Sequence, residues 1–268
     1  MDLYFEMYSG IAGDMTIGAL LDLGASKEKL VEGIKSLGLT GYELVFERVK
    51  KNGIDAYNFD VILENDHHDH NDDHQQGHKH EDHGHSHDHS HSHNHVHRNI
   101  KDIEKIIKGS DLSESIKENS LAVFDIIAEA ESKAHGIGKD EVHFHEVGAI
   151  DSIIDIVGVC ILLDDLKAEN IYFSDLYEGT GHQMCAHGPM PIPVPAVANI
   201  LRGSGIPINI IEEASEHVTP TGAALVRHFY KKAPKSFTIK NIGLGAGNKD
   251  FEKSTNILRV MEIDKKKL

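Results

Sequence analysis

The chain has 268 residues, 43 of them Asp or Glu and 27 Lys or Arg, for a formal net charge of -16. That balance argues against nucleic acid and anionic membranes as partners, while 40% hydrophobic content supports a real core in one large domain or two modest ones. Two cysteines, Cys160 and Cys185, exclude a disulfide framework and suit a reducing cytoplasm. The start, Met1-Asp2-Leu3, has no basic stretch and no apolar signal core, and the longest apolar run, Ile156 to Leu163, is too short to span a bilayer.

Leu3 to Tyr8 reads as a first strand. Ser9-Gly10-Ile11-Ala12-Gly13-Asp14 follows, and then an amphipathic helix from about Met15 to Leu23, stopped at Gly24. A strand, a glycine turn and a helix N-terminus make a possible anion cradle, though a plain tight turn explains the glycines equally well. Asp14 either caps the helix or acts as a ligand. Ser26 caps a second helix, Lys27 to Leu37. Tyr42 to Lys50 and Ile54 to Leu63 are predicted strands, joined at Asn52-Gly53, a strong hairpin signal.

His67 to His97 interrupts this pattern. Fourteen of the 21 histidines fall in it, and it has no aliphatic residue before Val96. Such a tract buries no core and is expected to be a flexible loop, with the insertion bounded at 65–98. Imidazoles among carboxylates suit divalent Ni, Zn, Co and Cu, and the Irving–Williams order leaves the choice open. Beyond it, Asn99 caps a helix to about Lys108. Ser113 opens a longer one, Glu114 to Ala134, with Ile116, Leu121, Phe124, Ile127 and Ala128 as its buried stripe.

The densest chemistry lies in His143-Phe144-His145-Glu146-Val147-Gly148-Ala149-Ile150-Asp151, continuing to Asp155. Val142 to Val147 alternates as a strand would, which points His143 and His145 to one side and Glu146 to the other. Gly148 breaks it, and a helix runs from Ala149 to about Leu166. Ile153 to Leu163 leaves that helix almost no polar stripe, so it should be buried. Asp151 and Asp155, four apart, share one of its faces. A carboxylate on a buried helix costs several kcal/mol unless it is paired or bound to metal. Asp151 in the first turn is also explained by the helix dipole; Asp155 is not.

Ile171 to Ser174 is a short strand. In Cys185-Ala186-His187-Gly188, Cys185 and His187 share a side if extended, a two-ligand pair that suits a borderline metal but equally suits packing. Pro189, Pro191, Pro193 and Pro195 force extended geometry, and Pro195 opens a helix to Leu201. Ile206 to Ile211 is a strand. Thr219 caps a helix with Pro220 at its first position and Thr221 beside it. Phe237 to Gly247 is a strand whose glycine-rich end suggests a bulge, and Asn256 to Ile263 is the last strand. The expected fold is a single α/β domain of the mixed α+β kind. Strands from both ends of the chain would enter mixed sheets covered by helices.

With these residues in view, the chain resembles the LarC-type nickel insertion proteins, which supply nickel to the pincer-nucleotide cofactor of lactate racemase and related enzymes. The resemblance rests on the Ser9 to Met15 turn, the His-rich insert, the His143 to Asp151 motif, Cys185 to Gly188 with its prolines, Thr219-Pro220-Thr221-Gly222 and Gly243 to Gly247. Glu6 stands where the family usually has Asp, and the family usually continues into a further C-terminal region that is absent here. The resemblance implies that Ni(II) is placed between two thiocarboxylate sulfurs of a pyridinium mononucleotide and bonded to a ring carbon that loses a proton. It also implies CTP with a divalent metal for the complete protein, a C-terminal partner chain, and an apo lactate racemase-type enzyme as recipient. A metal to release, a base and a phosphate site are then required.

On this reading His143, His145, Asp151, Asp155, Cys185 and His187 are the candidate metal ligands. Glu146 or His145 is the base, with Asp151 beside it, and Ser9, Gly10, Gly13, Asp14, Thr219 and Thr221 are the candidate cofactor-binding residues. A metal-dependent hydrolase built on His143, His145, Asp151 and Asp155, and a nickel store in which only the His tract matters, are the alternatives. The sequence leaves a homo-oligomer open. Deleting residues 67–97 should lower nickel capacity in equilibrium dialysis while the metal-free melting temperature barely moves; a large loss of stability would mean the tract is packed.

Overall fold

A computed structural model describes residues 1–64, 98–144, 149–185 and 188–265, with His143 through its backbone only. The elements run β1 (Asp2–Glu6), α1 (Gly13–Leu23), α2 (Lys27–Ser36), β2 (Tyr42–Lys51), β3 (Ile54–Leu63), β4 (Arg98–Asn99), α3 (Ile100–Lys108) and α4 (Glu114–His135). After them come β5 (His143–Phe144), α5 (Ile150–Asp165), β6 (Asn170–Phe173), β7 (Leu176–Glu178), β8 (His182–Cys185), β9 (Gly188–Pro191), α6 (Pro195–Leu201), β10 (Ile208–Ile210), α7 (Pro220–Phe229), β11 (Lys231–Lys232), β12 (Phe237–Ala246) and β13 (Ile257–Lys265). The fold is mixed α/β. The His67 to His97 tract lies outside the described residues.

The main sheet runs β11-β6-β1-β13-β12-β3-β2. Its middle joins the two ends of the chain: β1 pairs antiparallel with β13, Asp2 opposite Ile263 and Glu6 opposite Arg259, and parallel with β6. Along β1 the pleat sends Leu3 and Phe5 into the large core and Tyr4 into a small cluster with Met261 and Ile263 on the opposite face. Glu6 lies on that opposite side too, in an ion pair with Arg259. The β2–β3 hairpin turns through Asn52 and Gly53, both at positive φ (50° and 82°), as a two-residue turn matched to strand twist requires.

Local signals place the helices. Ser26 accepts from Lys29 N and caps α2; Asn99 forms a capping box with Asp102 at α3; Ser113 accepts from Ile116 N at α4; Gly24 ends α1 in the left-handed conformation. Helix α5 is buried from Ile153 to Leu163 save Asp155, as its composition demands. Helix α1 departs from the expected amphipathic form. Nine of its eleven residues are buried, because it lies between the sheet and α5, and Asp14 and Asp22 are its only partly exposed positions.

One more expectation changes. The glycine-rich end of β12 is regular, and the register shift falls earlier, between Ile239 and Asn241. The glycines are there for clearance: a Cβ on Gly243 would lie 2.1 Å from Ala19 O, and one on Gly245 1.9 Å from Met15 O, so α1 sits directly on the strand backbone. The proline-rich segment after Cys185 forms the second strand of a hairpin, β8–β9, in which Cys185 stands opposite Gly188. Strand β5, His143 and Phe144, pairs with β4; the continuation of the expected strand, with residues 145–148, lies outside the described residues. Gly245→Ala should lower stability by about 2–3 kcal/mol in urea unfolding, since the backbone contact cannot yield; an unchanged midpoint would show that α1 shifts freely.

Candidate functional site

An open cleft of about 370 Å³ lies where the N-terminal ends of α1, α5 and α7 meet. Gly13 and Asp14 come from α1, Asp151, Ser152 and Asp155 from α5, and Thr219, Pro220 and Thr221 from the start of α7. The loop between β12 and β13 closes the remaining side with Asn248, Lys249, Phe251 and Asn256. Stretches far apart in the chain therefore share one wall.

The close contact at its centre is between α1 and α5. A Cβ on Gly13 would lie 2.5 Å from Asp155 Cβ and 2.6 Å from its Oδ2, so only glycine admits the Asp155 side chain there. The Asp14 backbone faces the Asp155 carboxylate and partly offsets the rise in its pKa, and Met15 N donates to Asp14 Oδ1 at 2.7 Å. These two carboxylates thus face the donors that a first helical turn would otherwise offer to an anion. The N-cap residues of α1 and α5, Ala12 and Ala149, make no side-chain cap bond.

The opposite lip is held through the backbone. Ile11 N donates to His217 O at 2.9 Å and Thr219 N to Ile11 O at 3.1 Å. Gly10, at φ 82°, has no room for a side chain, since a Cβ would lie 2.0 Å from His217 O. Thr219 Oγ1 accepts from Gly222 N at 3.1 Å and lies 2.9 Å from Thr221 Oγ1.

Charge is the notable property of the cleft. Burial pushes the Asp14 carboxyl up to about 6, helped by Asp60 on β3 and by Asp151. Asp155 is raised well above the ordinary carboxylate value by burial and then by Asp14, Asp151 and Asp60. Both side chains are enclosed by protein atoms yet retain partial exposure, because they open on the cleft. Three helix N-termini favour negative charge while a group of carboxylates favours positive charge. A ligand carrying both signs satisfies both.

Of the residues singled out in the sequence, Gly13, Asp14, Asp151, Asp155, Thr219 and Thr221 line this cleft. Ser9 and Gly10 stand behind it, with Ser9 Oγ 3.4 Å from Thr255 Oγ1. Cys185 is on the β8–β9 hairpin and is not among the lining residues. His145, Glu146 and His187 lie outside the described residues, as does the His143 side chain. Among the described residues no group of three or more His, Cys, Asp or Glu side chains is arranged to hold a metal ion, and no helix is long and apolar enough to cross a membrane. Asp60, Glu216, His217, Lys249 and Phe251 were not marked by the sequence. Asp60 gave one usable sign, an acid inside an otherwise apolar strand end, Phe59-Asp60-Val61.

A mixed α/β fold with an acidic cleft between helix N-termini, built from Gly13-Asp14, Asp151 to Asp155 and Thr219-Pro220-Thr221, defines the class of this protein. The chain belongs to the nickel insertion protein family, which matches residues 3–268. It is 49% identical to a pyridinium-3,5-bisthiocarboxylic acid mononucleotide nickel insertion protein of Alkaliphilus metalliredigens, over 98% of this chain and 60% of the relative. Relatives of the same description in Clostridium kluyveri and Geobacillus kaustophilus are 44% and 41% identical, over 96% and 97% of this chain and 61% and 59% of theirs. The chain thus spans about three fifths of the length of these curated relatives. No solved structure matches it.

Asp155→Asn keeps the shape of the side chain and removes an ionisable carboxyl that faces other carboxylates. Without divalent metal the variant should melt higher than the parent at pH 7, by roughly 1–2 kcal/mol after allowing for solvent access. The pH dependence has a definite sign. Folded Asp14 holds its proton up to about 6 against an ordinary value of 3.8, so its contribution is fully present below about pH 4 and is lost as pH rises through 6. Metal-free melts should therefore show this contribution shrinking between about pH 4 and 6 in the parent and shrinking less in Asp155→Asn. Destabilisation of the variant at pH 7 would mean that Asp155 has a structural cation partner.

Proposed function

We propose that the chain inserts nickel into pyridinium-3,5-bisthiocarboxylic acid mononucleotide, with the cleft between α1, α5 and α7 as the place where metal and precursor meet. The observation that carries this reading is the convergence of the Gly13-Asp14, Asp151–Asp155 and Thr219–Thr221 stretches on one cleft, in a chain of the nickel insertion family. The precursor named for the relatives has a cationic ring, a phosphate and two thiocarboxylates. The carboxylates suit nickel and the ring; the N-terminus of α7 and Lys249 suit the anionic groups.

In this reading Asp151 and Asp155 meet the incoming nickel, which is cargo, with His143 and His145 as the nitrogen donors and Cys185 and His187 as a second, softer pair. The ring C–H bond breaks as the carbon–nickel bond forms, and the proton passes to Glu146 or His145. Thr219 and Thr221 at the start of α7 form the phosphate side, bordered by Gly13 and Asp14, with Ser9 and Gly10 supporting the turn from behind. The His-rich tract raises the local nickel concentration. The activity would be that of a nickel chelatase of the lyase class in the cytoplasm, completed by a C-terminal partner region and delivering product to an apo lactate racemase-type enzyme. CTP with a divalent metal would be a requirement of the longer protein. The cleft has one lysine among several carboxylates, a poor match to a triphosphate, so no step here is assigned to CTP.

The test is incubation of the chain with Ni(II) and the precursor, alone and with the remaining part of a relative plus CTP and Mg(II) or Mn(II). Product is read as a mass gain of nickel less a proton. Asp155→Asn should lower the yield at least about 100-fold, as expected when a metal-site group is lost. Product in neither arm sinks the proposal. Water-dependent cleavage instead would favour the hydrolase, and nickel binding lost wholly with residues 67–97 would favour the store.

A further inference from the structure

We propose that Phe251 is the platform on which the pyridinium ring of the precursor stacks, and that His217 is the positioning residue that holds the platform in place. The proposal rests on the cleft being the precursor site.

Phe251 is the one phenyl or phenol ring among the residues that line the cleft, and it is partly exposed. It sits on the loop between β12 and β13, where a free aromatic ring would ordinarily swing. Here it is fixed by stacking on the His217 ring, with centroids 4.0 Å apart and planes 27° from parallel. His217 is itself immobilised from every side. Its Nδ1 lies 2.9 Å from Ser215 O, and its Nε2 lies 3.2 Å from Ser254 Oγ and 3.3 Å from a Glu213 carboxylate oxygen. Its backbone N–H donates to the buried Glu178 at 2.8 Å, and its carbonyl accepts from Ile11. The loop is tied to the same group: Ser254 Oγ donates to Glu213 at 3.1 Å, and Lys253 N donates to Glu213 at 2.9 Å.

The result is a rigid aromatic surface beside carboxylates, with both His217 nitrogens committed away from any ligand. The chemistry it fits is a flat, positively charged ring. Such a ring gains from the π face of Phe251 and from Asp14, Asp151 and Asp155 at the same time, whereas a neutral ring gains only the stack. Phe251 also borders an adjoining groove of about 580 Å³, so it is not sealed behind the cleft wall.

The experiment uses the full chain and two readouts. Nicotinamide mononucleotide serves as a pyridinium ribonucleotide probe by calorimetry, with its reduced form as a ring of nearly the same size without charge, and ribose 5-phosphate as the ring-free control. Phe251→Leu should weaken the oxidised probe roughly ten-fold, the reduced probe less, and ribose 5-phosphate not at all, in line with stacking energies of aromatic platforms. Phe251→Tyr should restore binding. Ser254→Ala, milder than any change at His217, should weaken the oxidised probe part of the way while the melting temperature holds. In the insertion assay Phe251→Leu should raise KM for the precursor with little change in turnover. Equal affinity of parent and Phe251→Leu for the oxidised probe, or an unchanged KM, overturns the platform while nickel insertion by the parent keeps the functional reading standing. A parent protein that makes no product and binds no probe overturns both.

Discussion

The structure depends on how closely α1 can approach its neighbours. The helix lies directly against β12, where Gly243 and Gly245 leave its carbonyls the room that side chains would take. On its other side Gly13 lets the Asp155 side chain settle over the first turn. Removing Cβ atoms at these contacts costs chain entropy but gains dispersion contact and places two helix ends beside one another. The acidic cleft follows from that geometry. Asp155 would be an ordinary buried liability if α1 stood a few ångströms away; close to the α1 backbone it faces the Asp14 peptide and shares its field with Asp14, Asp151 and Asp60.

Much of the fold was legible because it is set by local chemistry. Ser26, Asn99, Ser113 and Thr219 announce their helices as capping residues, and each accepts the expected backbone N–H. Asn52-Gly53 fixes its hairpin through positive φ. The elements that escaped notice are short and depend on distant partners: β7 exists because β10 lies alongside it, and β11 because β6 does. The hairpin of β8 and β9 was hidden for another reason. Pro189 and Pro191 signal extended chain, which they form, but say nothing about a partner strand.

The candidate site was half legible for a similar reason. Asp151 and Asp155 stand out because an acid on an apolar helix violates the pattern around it, and violations are readable. His217 and Phe251 violate nothing: a histidine and a phenylalanine in loops are unremarkable until a ring stack joins residues 34 positions apart. Likewise the glycines of β12 read as a bulge when the strand is viewed alone. Their reason lies on α1, more than two hundred residues earlier. What the sequence conceals here is neighbourhood, since composition reports what a residue prefers and not what meets it.

The pairing of β1 with β13 has a consequence for how the chain acquires its shape. Glu6 and Arg259 face each other across the centre of the sheet, with β12 hung on the far side of β13. The β2–β3 hairpin and helices α3 and α4 contain their own contacts and can form early. The sheet cannot close until residues 257–265 arrive to bridge β1 and β12. Loop closure over that separation must be met before the long-range contacts stabilise anything, the condition that slows folding in domains of high contact order. During synthesis one edge of β1 therefore stays unpaired until residues 257–265 emerge, a long exposure for the apolar strand Leu3-Tyr4-Phe5.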